Sequence, residues 1–307
     1  MAKPNFIMMI GLPGSGKSTY AETIGANVHS SDAIREEILG DVNNQDSNGD
    51  VFSELHRRVK DDLRDGVDTV YDATNINGKQ RIAFLKELRS IDCRKICILM
   101  ATSYEDCKER ITKRSRIVPT HVLDRMYKNF CPPYYYEGWD EIRIIVTESE
   151  MTKLYTEEVL YNPRTGIDVF DQENSHHNLT LGEHCRKTAE YVHTHYPHNT
   201  LLYDAAIYHD EGKIFTKSRL NGKGEFDGNY HYYQHHCVGA YNSIFYLYNA
   251  GYSTDDILYV SSLIYYHMHP YLQWKDSEKK KNYHRELLGE KMFYDILRLH
   301  EGDVYAH

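Results

Sequence analysis

The stretch "GLPGSGKST" at residues 11–19 constrains this chain more than any other. It fits G-x-x-x-x-G-K-[ST] from Gly11 to Ser18 and directly follows the apolar run "FIMMI". Glycines at these places let successive backbone N–H groups turn inward around phosphate oxygens, provided a strand leads in and a helix leads out. Lys17 is expected to reach the outer phosphates and Ser18 to hold Mg²⁺. Gly11, Gly14, Ser15, Gly16, Lys17, Ser18 and Thr19 are therefore the expected contacts for ATP and Mg²⁺.

The rest of the first half alternates short apolar runs, at residues 67–73, 95–100 and 142–147, with charged amphipathic segments. That alternation predicts an α/β fold, a parallel sheet with flanking crossover helices. From about residue 178 helical periodicity dominates and strand alternation is scarce, so an all-α second half is expected. A chain of 307 residues suits about two domains. The expected bounds are 1–150 and 176–307, with a linker over 151–175.

No apolar run reaches the ~18 residues of a membrane span. The first apolar stretch runs straight into the glycine loop, unlike a signal peptide. The six cysteines show no zinc-like spacing and are expected to be reduced thiols in a cytoplasmic protein. A net charge of −9 argues against a chain that coats nucleic acid. Residues 108–128, however, carry Lys108, Arg110, Lys113, Arg114, Arg116, Arg125 and Lys128 against Glu109 and Asp124. Such a patch can hold a polyanion locally, or simply be a solvated helix face.

Asp32 and Arg35 stand three apart at a predicted helix start, so both can project from one face. Phosphorylating a hydroxyl needs a carboxylate that orients it and takes its proton. An arginine one turn on can grip a phosphate already on the acceptor. Asp32 can equally be a helix N-cap, a place Ser30 or Ser31 could fill instead. Asp72 closes a strand, where it can support the Mg²⁺ shell or form a turn. Arg110 and Arg114, four apart, can close over ATP and neutralise developing charge, or belong to the solvated face.

Taken together, "GLPGSGKST", the D-x-x-R of Asp32 and Arg35, "DATNIN" followed by Arg81, the R-x-x-x-R of Arg110 and Arg114, "VPTHVLDRMYKNF" and "EGWDEI" resemble the bacteriophage and bacterial 5′-hydroxyl polynucleotide kinases. The resemblance spans residues 5–145. It implies that Asp32 is the general base, that Arg35 binds the nucleic acid at the phosphate beside the acceptor nucleoside, and that Arg110 and Arg114 are lid arginines. The spacing to Val118 and Pro119 is one residue shorter than in the phage enzyme, which lets Arg116 take a lid role.

Histidine divides the chain: only His29, His56 and His121 precede residue 175. The second half carries His184, His209 with Asp210, and Asp303 in the order H…HD…D, and His235 and His267 can complete a second metal position. Imidazoles with carboxylates suit a divalent transition metal such as Mn, Ni, Co, Fe or Zn, which polarises a phosphoryl oxygen and acidifies water. Lys213 can touch a substrate phosphate. Any one of these histidines alone reads as a core or surface residue. The set, with "HDEGK", "EGDVYA", "HHCVGA" and "YYHMHP", resembles the HD phosphohydrolase superfamily over residues 176–307. That implies an all-α, metal-dependent phosphohydrolase, with His177 a candidate phosphate contact.

The whole chain resembles bifunctional end-healing enzymes, with two departures: the kinase precedes the HD half, and no D-x-D-x-T phosphatase signature is present. The resemblance implies phosphorylation of 5′-hydroxyl ends and removal of 3′-phosphate or 2′,3′-cyclic phosphate. The expected partners are RNA or DNA strand ends, with a ligase acting on the products. A small-molecule kinase joined to an HD nucleotidase is the alternative. A non-catalytic module that uses ATP as a ligand is a third reading.

Overall fold

The computed structural model describes residues 3–44, 46–113, 118–155, 160–162, 166–173 and 179–307. The chain divides into two compact units, one of residues 1–126 and 133–152, the other of residues 127–132 and 153–307.

In the first unit the strands are β1 (Asn5–Ile10), β2 (Asn27–Ser30), β3 (Thr69–Asp72), β4 (Arg94–Ala101) and β5 (Glu141–Val146). They form one sheet in the order β2-β3-β1-β4-β5, with every pairing parallel. Helices α1 (Lys17–Ala21), α2 (Ser31–Leu39), α3 (Asn48–Arg64), α4 (Gly78–Glu87), α5 (Tyr104–Thr112) and α6 (Thr120–Tyr127) connect them. Because helices cover both faces, the central strands must be apolar on both sides, which is why they read as continuous runs. Ile7, Met9, Val70, Ile96, Ile98 and Met100 pack on one face with Ala21. Phe6 meets Phe84 and Trp139 on the other. The short strand β2, "NVHS", is part-exposed at the sheet edge and carries no apolar run, so the sequence gives no sign of it.

After the short α7 (Glu150–Leu154), the second unit is built mainly of α8 (Leu181–His195), α9 (Thr200–Tyr208), α10 (Lys213–Thr216), α11 (His235–Asn249), α12 (Thr254–Tyr266), α13 (Glu278–Leu288) and α14 (Glu290–Tyr305). A capping box between Thr180 and Glu183 starts α8, and Ser253 caps α12. The expectation of an all-α half needs correction. An antiparallel hairpin, β6 (Ser218–Leu220) and β7 (Phe226–His231), lies between α10 and α11. Its turn carries the Asn221-Gly222 pair and Gly224 at φ +80°, a strong hairpin signal hidden here in a polar, tyrosine-rich stretch.

Within the expected linker over 151–175, the described residues 166–173 make contacts with α8. Ile167 is fully buried, Asp168 pairs with Arg186, and the Phe170 carbonyl accepts from Leu181 N–H. Residues 166–173 are thus packed structure of the second unit. No disulfide joins the six cysteines, all of them buried. Among the described residues no helix is long and apolar enough to cross a membrane.

Candidate functional site

The glycine loop sits between β1 and α1, as a phosphate loop must. Gly14 has φ +88°, and a Cβ there would lie 2.6 Å from the Cys107 carbonyl oxygen. Gly16, in the left-handed region at the N-cap of α1, leaves the start of the helix open. The Lys17 ammonium donates to the Leu12 carbonyl at 2.9 Å, so it arches back over the loop. Ser18 is exposed at the start of α1, and Asp72 is buried at the end of the adjoining strand β3. Arg110 leans on the loop from α5, its Nη1 3.5 Å from the Gly14 carbonyl. Arg114, Arg116 and His177 lie outside the described residues.

Beyond the loop opens a cavity of about 1080 Å³, which Lys17, Ser18, Asp32, Arg35, Asp72 and Arg125 help to line. The N-cap of α2 is Ser30, whose hydroxyl accepts from Asp32 N–H at 3.2 Å. That leaves the Asp32 carboxylate for other work. Its Oδ1 accepts from Arg35 Nη1 at 3.0 Å, and Arg35 Nη2 donates to Asn48 Oδ1 at 2.8 Å. Arg35 is 4 % exposed, while the Asp32 side chain is 40 % exposed. Burial lowers the Arg35 pKa, and among the described residues its buried Nε has no hydrogen-bond partner. A guanidinium so placed is matched by an anion entering the cavity.

Asn48, which orients Arg35, leaves no mark in the sequence, since a lone Asn at a helix start reads as a cap. Arg81 likewise has no role legible from its residue type. The structure buries Arg81 against Glu137, at 2.8 and 2.5 Å, and turns its Nη1 to the Asn75 carbonyl at 2.8 Å. This pair fixes the loop that follows Asp72.

In the second unit the metal-type residues come from helix ends. His209 and His267 are the C-caps of α9 and α12. Each turns its Nδ1 back to the carbonyl three residues earlier, Ala206 at 2.8 Å and Ile264 at 2.6 Å. A carbonyl can only accept, so each Nδ1 carries a proton, and in the neutral ring Nε2 is left as a lone pair. His235, at the start of α11, does the same with the Tyr232 carbonyl at 2.8 Å. His235 Nε2 and His267 Nε2 then face each other at 3.2 Å. In the neutral rings two lone pairs meet there, a repulsion that a proton or a metal cation shared between them relieves.

Asp210 stands between two such groups. Its Oδ1 is 3.1 Å from His235 Nε2 and 3.6 Å from His267 Nε2, and its Oδ2 is 3.4 Å from His184 Nε2 and 3.6 Å from His209 Nε2. Asp303 Oδ1 adds contacts of 3.1 and 3.6 Å to His184 and His209. The structure thus brings together all six residues the sequence pointed to, as two overlapping groups that share Asp210 and could each hold a metal ion. The donor set, neutral imidazole nitrogens and carboxylates, fits divalent transition metals.

Lys213 closes one side, its Nζ 2.6 Å from Asp210 Oδ2 and donating to Gln172 Oε1 at 2.9 Å. Gln172 lay in the expected linker, and nothing in the sequence marked it. Electrostatics separates neighbours sharply. Burial opposes the Asp210 charge, yet Lys213 and His209 hold its carboxyl well below the usual range. Burial pushes the next residue, Glu211, well above it, against the lowering effect of a hydrogen bond from the Tyr246 hydroxyl. Burial also opposes a charge on His209, but Asp210 and Asp303 raise its proton affinity well above an ordinary imidazole's.

Residues 6–133 match the family model described as an AAA domain. The first unit has the parallel five-stranded sheet, flanking helices and phosphate loop of a P-loop α/β fold. None of the curated proteins compared matches this chain. Solved structures similar to it include a proposed kinase from Chloroflexus aurantiacus, 17 % identical over 48 % of this chain and 89 % of that one, with a TM-score of 0.41. A gluconokinase from Sinorhizobium meliloti is 18 % identical over 50 % and 88 %, with a TM-score of 0.35. The Pnkp1/Rnl/Hen1 RNA repair complex is 18 % identical over 42 % of this chain and 44 % of that one, with a TM-score of 0.36.

Proposed function

We propose that this chain heals broken nucleic-acid ends, adding phosphate to a 5′-hydroxyl and removing it from a 3′ end. The observation that supports this is the presence, in one chain, of two unlike phosphate chemistries. One is a phosphate loop opening on a cavity with the Asp32–Arg35 pair. The other is a separate histidine–aspartate cluster suited to metal.

In the kinase half, the loop amides and Lys17 hold the triphosphate of ATP, with Mg²⁺ on Ser18 and Asp72. Asp32 takes the proton of the acceptor hydroxyl as its oxygen bonds the γ-phosphorus, and ADP leaves as the β–γ bridge breaks. Arg35 holds the phosphate next to the acceptor, and Arg110 with Arg114 neutralises the transferring phosphoryl. In the other half, His184, His209, Asp210 and Asp303 would hold one divalent metal and Asp210, His235 and His267 a second, which would supply Lewis acidity toward a phosphoester. Lys213 offers its ammonium to a non-bridging phosphate oxygen. The resulting 5′-phosphate and 3′-hydroxyl are the ends a ligase joins.

The test is a short RNA with a 5′-hydroxyl and a 2′,3′-cyclic phosphate, incubated with ATP, Mg²⁺ and Mn²⁺ and followed by mass at both ends. Gain of a 5′-phosphate with loss of the 3′-terminal phosphate is expected. Change at neither end would overturn the reading in favour of a small-molecule kinase and nucleotidase.

A further inference from the structure

The hairpin β6–β7 has no part in the chemistry above, yet it leads straight to it. The residue that follows β7, Tyr232, gives its carbonyl to metal-type His235 and its ring to Lys213, whose Nζ lies 5.9 Å from the ring centroid. Tyr232 OH donates to the Gln172 carbonyl, and Gln172 also binds Lys213. From there the hairpin runs outward. β7 is exposed from Phe226 through Asn229 on both of its faces. An exposed two-stranded hairpin gains little stability for the fold, so its large apolar side chains need another reason.

Leu220 pairs with Phe226 across the strands, and Phe226 is 69 % exposed. Tyr233 presents a second exposed ring, stacked on His231 with an interplanar angle of 5°. Cations are interleaved with these rings. Lys217 lies 4.3 Å over Tyr230, and Arg219 donates to the Tyr230 hydroxyl at 2.8 Å. Lys217 is paired with Glu173 and Asp227 with His231. Among the described residues neither Arg219 nor Lys223 has a carboxylate within ion-pair distance, and Glu225 is the remaining acid of the hairpin.

We propose that this hairpin is a strand-binding arm: it holds the last few nucleotides of a single-stranded polynucleotide whose 3′ end enters the metal cluster. This rests on the end-healing reading of that cluster. Bases stack on Phe226 and Tyr233, while Arg219 and Lys223 meet the backbone phosphates. Rings without hydrogen-bond readout make the arm indifferent to sequence. The continuity through Tyr232 gives it a direction, with the 3′ terminus toward Lys213.

The experiment measures fluorescence anisotropy of a labelled short oligouridylate ending in 3′-phosphate, against uridine 3′-monophosphate as competitor, using the full chain. Phe226→Ala is expected to weaken oligouridylate binding about tenfold. Arg219→Gln should weaken it too and flatten its salt dependence. Both variants should bind uridine 3′-monophosphate, and hydrolyse p-nitrophenyl phosphate, as the unaltered chain does. Unchanged oligouridylate binding in both variants would overturn the arm. So would an equal loss for the mononucleotide, which would make the hairpin a support of the cluster, or loss of a dimer in sedimentation, which would make it a self-association face. If the variants lose oligouridylate binding but the unaltered chain removes no 3′-phosphate, the arm stands and the end-healing reading falls. If 3′-phosphate is removed with variants unchanged, the reverse holds.

Discussion

Asp32 and Arg35 share one helical turn but have opposite surroundings. The carboxylate is open to the cavity, and the guanidinium is buried with one nitrogen unmatched. An exposed base can meet a hydroxyl, and a buried guanidinium rewards an anion brought to it. Asp32→Asn is therefore expected to lower 5′-phosphorylation by about 10²- to 10⁴-fold while leaving 3′-phosphate removal intact. Asp210→Asn should do the reverse, because it removes the one carboxylate that serves both metal groups. Following both ends of one RNA by mass reads the two effects together; a variant that folds yet loses both activities would sink the two-site reading. At this scale the sequence was most informative about identity. Residue type and order were enough to single out His184, His209, Asp210, His235, His267 and Asp303. The Nδ1 protons pinned by Ala206, Ile264 and Tyr232 were not legible, since a carbonyl contact leaves no mark on residue type. Nor was the choice between Ser30 and Asp32 as the cap, which both residue types permit.

At the scale of elements, legibility followed burial. β1, β3 and β4 could be read because a strand covered on both faces must be apolar throughout. The edge strand β2 and the exposed hairpin β6–β7 are under no such demand, and both escaped the hydrophobic pattern. The loop after β3 shows a third case, where position depends on one long-range ion pair. Arg81 and Glu137 are 56 residues apart in sequence and fully buried together, with Trp139 Nε1 also donating to Glu137. Arg81→Ala would leave the Glu137 carboxylate buried without its guanidinium, at a cost of about 3–5 kcal/mol. Urea denaturation should show the midpoint falling with little change in slope. An unchanged midpoint would mean that the loop is held by something else.

For the molecule as a whole, the division into two compact units suggests separate responses to metal, and the chain carries its own reporters. It has two tryptophans, Trp139 in the first unit and Trp274 in the second, both buried. Trp139→Phe leaves tryptophan emission, excited beyond the tyrosine band, that reports the second unit alone, and Trp274→Phe leaves tryptophan emission that reports the first. His235 Nε2 and His267 Nε2 lie 3.2 Å apart, with Asp210 between two imidazole pairs, so a divalent cation shared among them would bind the folded second unit. Ligand that binds only the folded state adds about 2.7 kcal/mol when present at about a hundred times its Kd. After chelation, return of Mn²⁺ at such a level should therefore raise the urea midpoint seen by Trp274 and leave that seen by Trp139 in place. Activity should divide along the same line: Mg²⁺ alone restores 5′-phosphorylation, and 3′-phosphate removal waits for the transition metal. A Trp139 midpoint that rises as far as the Trp274 one would tie the metal to the folding of both units and overturn their independence. A Trp274 midpoint that does not move would remove the cluster as a metal centre, whatever the activities do.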